Sequence, residues 1–262
     1  MELTVQGHPV FAATGGTAFD PAKPAVVLIH GSGMDHTVWS LPARYLAHHD
    51  RSVLAVDLPG HGRSAGPALT SITALADWIA DVIAAAGLTT AALVGHSMGA
   101  LTALETAACH PDRVRELALL GVAERMPVHP GLLAAASADD PAARAMVVGW
   151  GFGTRAHRGG GAVPGLWQVG GGLRLMERAP PGVLGIDLAA CNAYDNGAAA
   201  AAAVRCPTLL LLGARDRMTP AKAGQALGAL IAGARVTMLP DTGHMMMVEQ
   251  PNATIDALVG AV

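Results

Sequence analysis

The sequence predicts an α/β fold: a mostly parallel sheet with helices on both faces and a helical insertion. Three observations carry that prediction. Short apolar runs that stop at a glycine or a turn recur along the chain, as strands buried on both faces do. Segments with helical spacing stand between them, the alternation of a parallel sheet. That alternation breaks after Val122 and resumes near residue 197, which marks an insertion between two strands.

Taken in order, "ELTVQGHPVFAAT" alternates around a Gly-His-Pro turn and predicts a β-hairpin. "AVVLIHG" (25–31) is a continuous apolar run and the first doubly buried strand. "TVWSLPARYLAHH" has helical spacing despite a proline near its start. "SVLAVDLPGHG" is the next strand and turn. "SITALADWIADVIAAAG" is an amphipathic helix closed by glycine. "AALVGHS" is a strand, "MGALTALETAACH" a helix and "VRELALLGV" a strand. From Ala123 to Asn196 glycine clusters, prolines and three short helical hints appear without a good strand. "CPTLLLLGARD", "TPAKAGQALGALIAGA", "RVTMLP" and a helix from about Glu249 complete the alternation. The expected domains are a core of residues 1–122 and 197–262 and a cap (lid) of residues 123–196.

Composition narrows the function. Of 262 residues, 52% are hydrophobic and 14% charged, which excludes a disordered chain. Aromatics are 3%, so small and branched side chains must build the core. A net charge of −3 with no basic stripe speaks against nucleic acid as a partner. No apolar run is long enough for a membrane span. The start "MELTVQGHPV" lacks the charged-then-apolar pattern of a signal peptide, so a cytoplasmic location is expected. Cys109, Cys191 and Cys206 are scattered, without metal-ligand spacing, and are expected to be reduced thiols.

The chemistry centres on "GHSMG" (95–99). A G-x-S-x-G between a strand and a helix forces the serine into a strained turn and projects its hydroxyl over the carboxyl ends of the strands. The new helix aims free N–H groups at the same place. Ser97 needs a base, and His244, between the last strand and the last helix, is expected at the same sheet edge. An imidazole needs an orienting carboxylate. Asp216 ends the preceding strand, with Glu124 as the alternative acid. The order Ser97, Asp216, His244 is that of a strand–turn–helix serine triad. Oxyanion donors are expected from the backbone N–H groups of Ser32, in the small-residue turn 31–33, and of Met98.

HGSG (30–33), DLPGHGRS (57–64), GHSMG (95–99), LLGARDRMTP (211–220) and GHMMMVEQP (243–251) occur in that order. With them the chain resembles the α/β-hydrolase fold superfamily, in its branch of bacterial serine esterases and lactonases with an inserted helical cap. The resemblance covers residue 25 to the end apart from the cap. It implies an eight-stranded sheet with one antiparallel strand in its first hairpin, and a cap after the sixth strand. It also implies hydrolysis of a small-molecule ester or lactone through an acyl-enzyme, with no cofactor and no metal.

The alternatives are enol-lactone hydrolysis, carbon–carbon bond hydrolysis, perhydrolysis and acyl transfer to another alcohol. A non-catalytic ligand-binding protein on the same fold is the reading from a different class. Met34 and Asp35 stand where the carbon–carbon hydrolases carry a proline. A serine at the elbow argues against the dehalogenases and epoxide hydrolases, which use aspartate there. Gly31, Trp39, Trp150, Trp167 and Met245 are the candidate substrate contacts. Trp39 either walls the pocket or is buried scaffold, and Trp150, Phe152 and Trp167 are an expected apolar roof. Met245, Met246 and Met247 otherwise read as core filler, and His96 as a packing residue. His30 is expected to brace the oxyanion turn, and Asp57 and His61 to support the loop beneath it. Arg144, Arg155, Arg158, Arg174 and Arg178 in the cap either steer an anionic substrate or form a solvated surface. A homo-oligomer is left open.

Overall fold

The computed structural model describes residues 1–161 and 166–262. The opening alternation forms a hairpin, β1 (Glu2–Val5) and β2 (His8–Ala13), turned by Gln6 and Gly7 with φ of 50° and 80°. Two consecutive positive φ values match the right-handed twist of the strands they join. The later strands are β3 (Ala25–Ile29), β4 (Ser52–Val56), β5 (Ala91–His96), β6 (Val114–Leu120), β7 (Thr208–Gly213) and β8 (Arg235–Leu239). All eight form one sheet in the order β1-β2-β4-β3-β5-β6-β7-β8. β2 pairs antiparallel with β1 and β4, and every other neighbouring pair is parallel.

Every residue of β3, β4, β5 and β7 is buried, which is why these strands read as unbroken apolar runs. Their alternate side chains still serve two different cores. Val27, Ile29 and Leu93 face a cluster with α2 (Ile72–Ala85) and α3 (Met98–Cys109). Val26, Leu28 and Val94 face one with α1 (Ser40–Ala47) and the C-terminal helix. α2 starts where the Ser71 side chain accepts the Ala74 amide and gives way to Gly87 at φ 75°.

Between β6 and β7 the described chain is helical: α4 (Pro130–Ser137), α5 (Pro141–Gly151), α6 (Thr154–His157), α7 (Gln168–Glu177), α8 (Val183–Ala193) and α9 (Gly197–Ala203). The alanine run of α9 belongs to the core, where Ala200 and Ala201 are buried among α3 and β-sheet residues. After β7 come α10 (Ala221–Leu230), α11 (Met246–Glu249) and α12 (Pro251–Val259). The final helix expected from about Glu249 is α12, and the short α11 precedes it. Gln250 leaves the helical region (φ −134°, ψ 63°), as the residue before a proline is pressed to do. Among the described residues no helix is long and apolar enough to cross a membrane.

Candidate active site

Ser97 alone connects β5 to α3. It holds φ 55° and ψ −117°, a conformation that costs a non-glycine residue about 1–3 kcal/mol. Its amide donates to Leu120 O at 2.9 Å, and its carbonyl accepts from Ala100 and Leu101. The two glycines are required by backbone proximity. A Cβ on Gly95 would stand 2.1 Å from Gly99 O, and one on Gly99 would stand 2.3 Å from Ile29 O. Helix and strand therefore touch main chain to main chain, and the serine is the corner between them.

Asp216 and His244 come from the turns after β7 and β8. His244 Nδ1 lies 2.7 Å from Asp216 Oδ2. The same carboxylate oxygen accepts from Thr219 Oγ1 at 2.8 Å, while Oδ1 accepts the amides of Met218 and Thr219, each at 2.8 Å. Asp216 is buried, which by itself would raise its pKa. The neighbouring His244 and these hydrogen bonds outweigh burial and hold the carboxyl below its ordinary value. A carboxylate that only accepts fixes Nδ1 as the protonated ring nitrogen and leaves Nε2 free to take a proton. The His244 amide donates to Gly151 O at 2.7 Å, at the end of α5. The His96 ring sits 4.6 Å from the His244 ring, and its Nε2 donates to the His244 carbonyl at 3.0 Å. No hydrogen bond joins Ser97 to His244 in this structure. Such contacts commonly tighten only with substrate bound.

The turn 31–34 runs beside the serine. A Cβ on Gly31 would lie 3.2 Å from Ser97 Cβ. Among the described residues the Ser32 amide donates to no group, and Met98, as the first residue of α3, has no intrahelical acceptor. Beneath the turn, His30 accepts the Leu58 amide on Nε2 (3.1 Å) and faces Gly31 O with Nδ1 (2.9 Å). Burial lowers its pKa to about 4, so the ring is neutral. Asp57 accepts the amides of His36 and Arg63 and the His36 ring. Asp35, His36 and Asp57 bring potential ligand atoms within 4.8 Å of one another. Their oxygens are already taken by Thr37, Arg178, His36 and Arg63, which fits a hydrogen-bonded brace rather than a metal centre.

A cavity of about 290 Å³ opens onto Ser97, Ser32 and Thr219. Its apolar walls include Val128, Leu132, Trp150 and Leu188, and Arg217 is the one Lys, Arg, Asp or Glu among its described lining residues. Of the expected roof, Trp150 lines this space. Phe152 is buried in the core, and Trp167 stands 68% exposed, away from the cavity. Trp39 is fully buried and Met245 is buried beside Gly151, so both are scaffold and do not face the cavity. None of the five expected cap arginines lines it either. Arg144 pairs with Asp139, Arg174 with Glu177 and Arg178 with Asp35. Glu124, the alternative acid, makes no hydrogen bond to His244, whose carboxylate partner is Asp216. Reasoning from sequence missed Thr219 and Arg217, although a hydroxyl residue three positions after a turn aspartate is a local signal.

A model of the alpha/beta hydrolase family matches residues 26–257. The pimeloyl-[acyl-carrier protein] methyl ester esterase of Chromobacterium violaceum is 32% identical over 248 residues, covering 90% of this chain and 92% of that protein. Its namesake from Methylococcus capsulatus is 31% identical over 249 residues, covering 85% and 88%. Among solved structures, the enol-lactonase from Burkholderia xenovorans LB400 superposes with a TM-score of 0.88 at 24% identity, covering 99% of this chain and 98% of that one.

Proposed function

The chain belongs to the alpha/beta hydrolase family and is an ester-cleaving hydrolase, and from that premise we propose that Ser97 is its nucleophile and that it works through an acyl-enzyme. His244 takes the Ser97 proton as the oxygen attacks the ester carbonyl. Asp216 holds the ring and stabilises the imidazolium. The oxyanion accepts from the amides of Ser32 and Met98. The alcohol departs with the proton from His244. Water, deprotonated by the same ring, then releases the acid. Residues 123–196 act as a cap that walls the substrate space, and a 290 Å³ cavity with mainly apolar walls suits a small to medium acyl group.

The observation that carries this reading is the 2.7 Å Asp216–His244 contact, with Thr219 bridging it to the wall on which Ser97 lies. A monoester such as the methyl ester that the Chromobacterium violaceum relative is named for fits this class. Lactones are the second reading, and Arg217 in the cavity favours a lactone that carries a carboxylate. The test uses a short-chain nitrophenyl ester and a fluorophosphonate probe. Wild type should turn over the ester and label at Ser97, and Ser97→Ala should lose both while melting close to wild type. Binding of apolar ligands without turnover or labelling would make the protein a receptor on this fold. Hydrolysis by Ser97→Ala at the wild-type rate would place the nucleophile elsewhere. A panel of esters and lactones graded in size and charge separates the two substrate readings.

A further inference from the structure

α8, from the segment between β6 and β7, lies against the oxyanion turn. Three of its residues, spaced to share one face, make the contact. A Cβ on Gly33 would meet Leu184 at 3.0 Å, the Cys191 thiol lies 3.8 Å from Ser32 Oγ, and Asp187 stands between them. Asp187 is 1% exposed. Its Oδ2 accepts the Gly33 amide at 2.8 Å and faces His61 Nε2 at 2.8 Å. The other ring nitrogen of His61 faces Pro59 O at 3.0 Å. With acceptors on both sides, the doubly protonated ring is the form that satisfies both contacts. Burial opposes that charge, but the Asp187 carboxylate prevails and raises the His61 pKa.

A buried ion pair is poor value as packing, because desolvation consumes most of its attraction. This one does something packing residues cannot. Gly33 has φ 65° and no side chain; the Met34 amide closes the turn on Gly31 O at 3.2 Å, and the Gly33 N–H itself is anchored by Asp187. The preceding amide, that of Ser32, is the proposed oxyanion donor. A lone carboxylate this close would repel the developing negative charge, and His61 cancels it. We propose that Asp187 is a positioning residue of the oxyanion turn, aiming the Ser32 amide through the Gly33 N–H, and that His61 is its obligatory counter-charge. The proposal rests on the hydrolase reading above.

The test compares wild type, Asp187→Asn, His61→Gln and the double variant, with rates expressed per site labelled at completion by the fluorophosphonate. Asp187→Asn should lower kcat about tenfold or more with KM changed less than about threefold, since only a donor present in the transition state has moved. A trifluoromethyl ketone, whose tetrahedral adduct places an oxyanion in the hole, should weaken by the same factor as kcat/KM. His61→Gln should lose more than Asp187→Asn, and the double variant should recover to the Asp187→Asn level once the uncompensated carboxylate is gone. Fewer labelled sites with unchanged kcat per site would reduce the pair to a structural role and overturn the proposal. A wild type that neither turns over nor labels would refute the hydrolase reading, and this proposal with it.

Discussion

Replacing Gly99 by alanine tests how tightly the serine corner is built. The added Cβ would stand 2.3 Å from Ile29 O, 2.5 Å from His30 O and 2.8 Å from Ile29 C. Cβ atoms essentially never approach closer than 3.0 Å, and every atom in the way is backbone. β3 cannot yield alone, because β4 and β5 flank it in the sheet. The N-terminus of α3 must therefore withdraw and carry Ser97 and Met98 with it. Overpacking of this kind costs about 1–3 kcal/mol, and rigid backbone on both sides puts Gly99→Ala at the upper end. For a chain of this length about 3 kcal/mol lowers the melting temperature by roughly 6–12 °C. A displacement approaching 1 Å between the proposed nucleophile and its proposed oxyanion donors lowers kcat by roughly a hundredfold. Melting followed by circular dichroism and turnover of a nitrophenyl ester read the two effects separately. Gly149→Ala, in the interior of α5 with nothing within 4 Å of the new methyl, is the matched control. It should gain about 0.5–1 kcal/mol from helix propensity. If Gly99→Ala melts within about 2 °C of wild type and keeps its kcat, the close main-chain packing is not what shapes the site.

Other outcomes follow from the same geometry. Asp216→Asn can keep its two backbone amide contacts through the remaining oxygen, but its NH2 then faces Thr219 and His244 Nδ1 and selects the wrong tautomer. Steady-state kinetics should show kcat down by roughly three to four orders of magnitude with little loss of stability, and a loss under about tenfold would remove Asp216 from the triad. Acidification should destabilise the fold through His30, which is neutral when folded (pKa about 4) and binds a proton from 6.5 downward once unfolded. Stability is full above that window and falls by about 3 kcal/mol across it. Urea melts should show His30→Gln with a flatter pH dependence than wild type by that amount, and parallel curves would refute the assignment.

What could be read in the sequence follows from how local each signal is. The doubly buried strands announce themselves because no residue of β3, β4, β5 or β7 meets water. α2 announces itself through Ser71 and Gly87. Ser97, Asp216 and His244 could be singled out because each follows the carboxyl end of a strand, and those ends in a parallel sheet share one rim. The helices between β6 and β7 were harder. α7 opens as "QVGGG", whose glycines erase any apolar period. Trp167 was expected in a roof and stands in solvent, because nothing in a short stretch says which way an aromatic before a helix turns. Asp187 meets Gly33 across 154 positions, and no spacing rule reaches that far.

The contacts between that helical segment and the turns that carry Ser32 and His244 divide into two kinds with different tolerances. Gly151 O accepts the His244 amide, and Asp187 accepts that of Gly33. Buried Glu249 accepts the amides of Gly153, Gly243 and Met245, gripping both the α5–α6 junction and the His244 turn. Burial keeps the Glu249 pKa raised even against those three donors. Each is a buried polar contact, so removing one partner strands the other and costs more than the bond itself contributes. The cavity walls, in contrast, are Val128, Leu132, Trp150 and Leu188, where a change of size alters volume without orphaning a polar group. Both kinds come from one stretch of chain. On the proposed reading, this segment can change the substrates admitted through its wall residues, provided Asp187 and the backbone at Gly151 and Gly153 stay where they hold the turns.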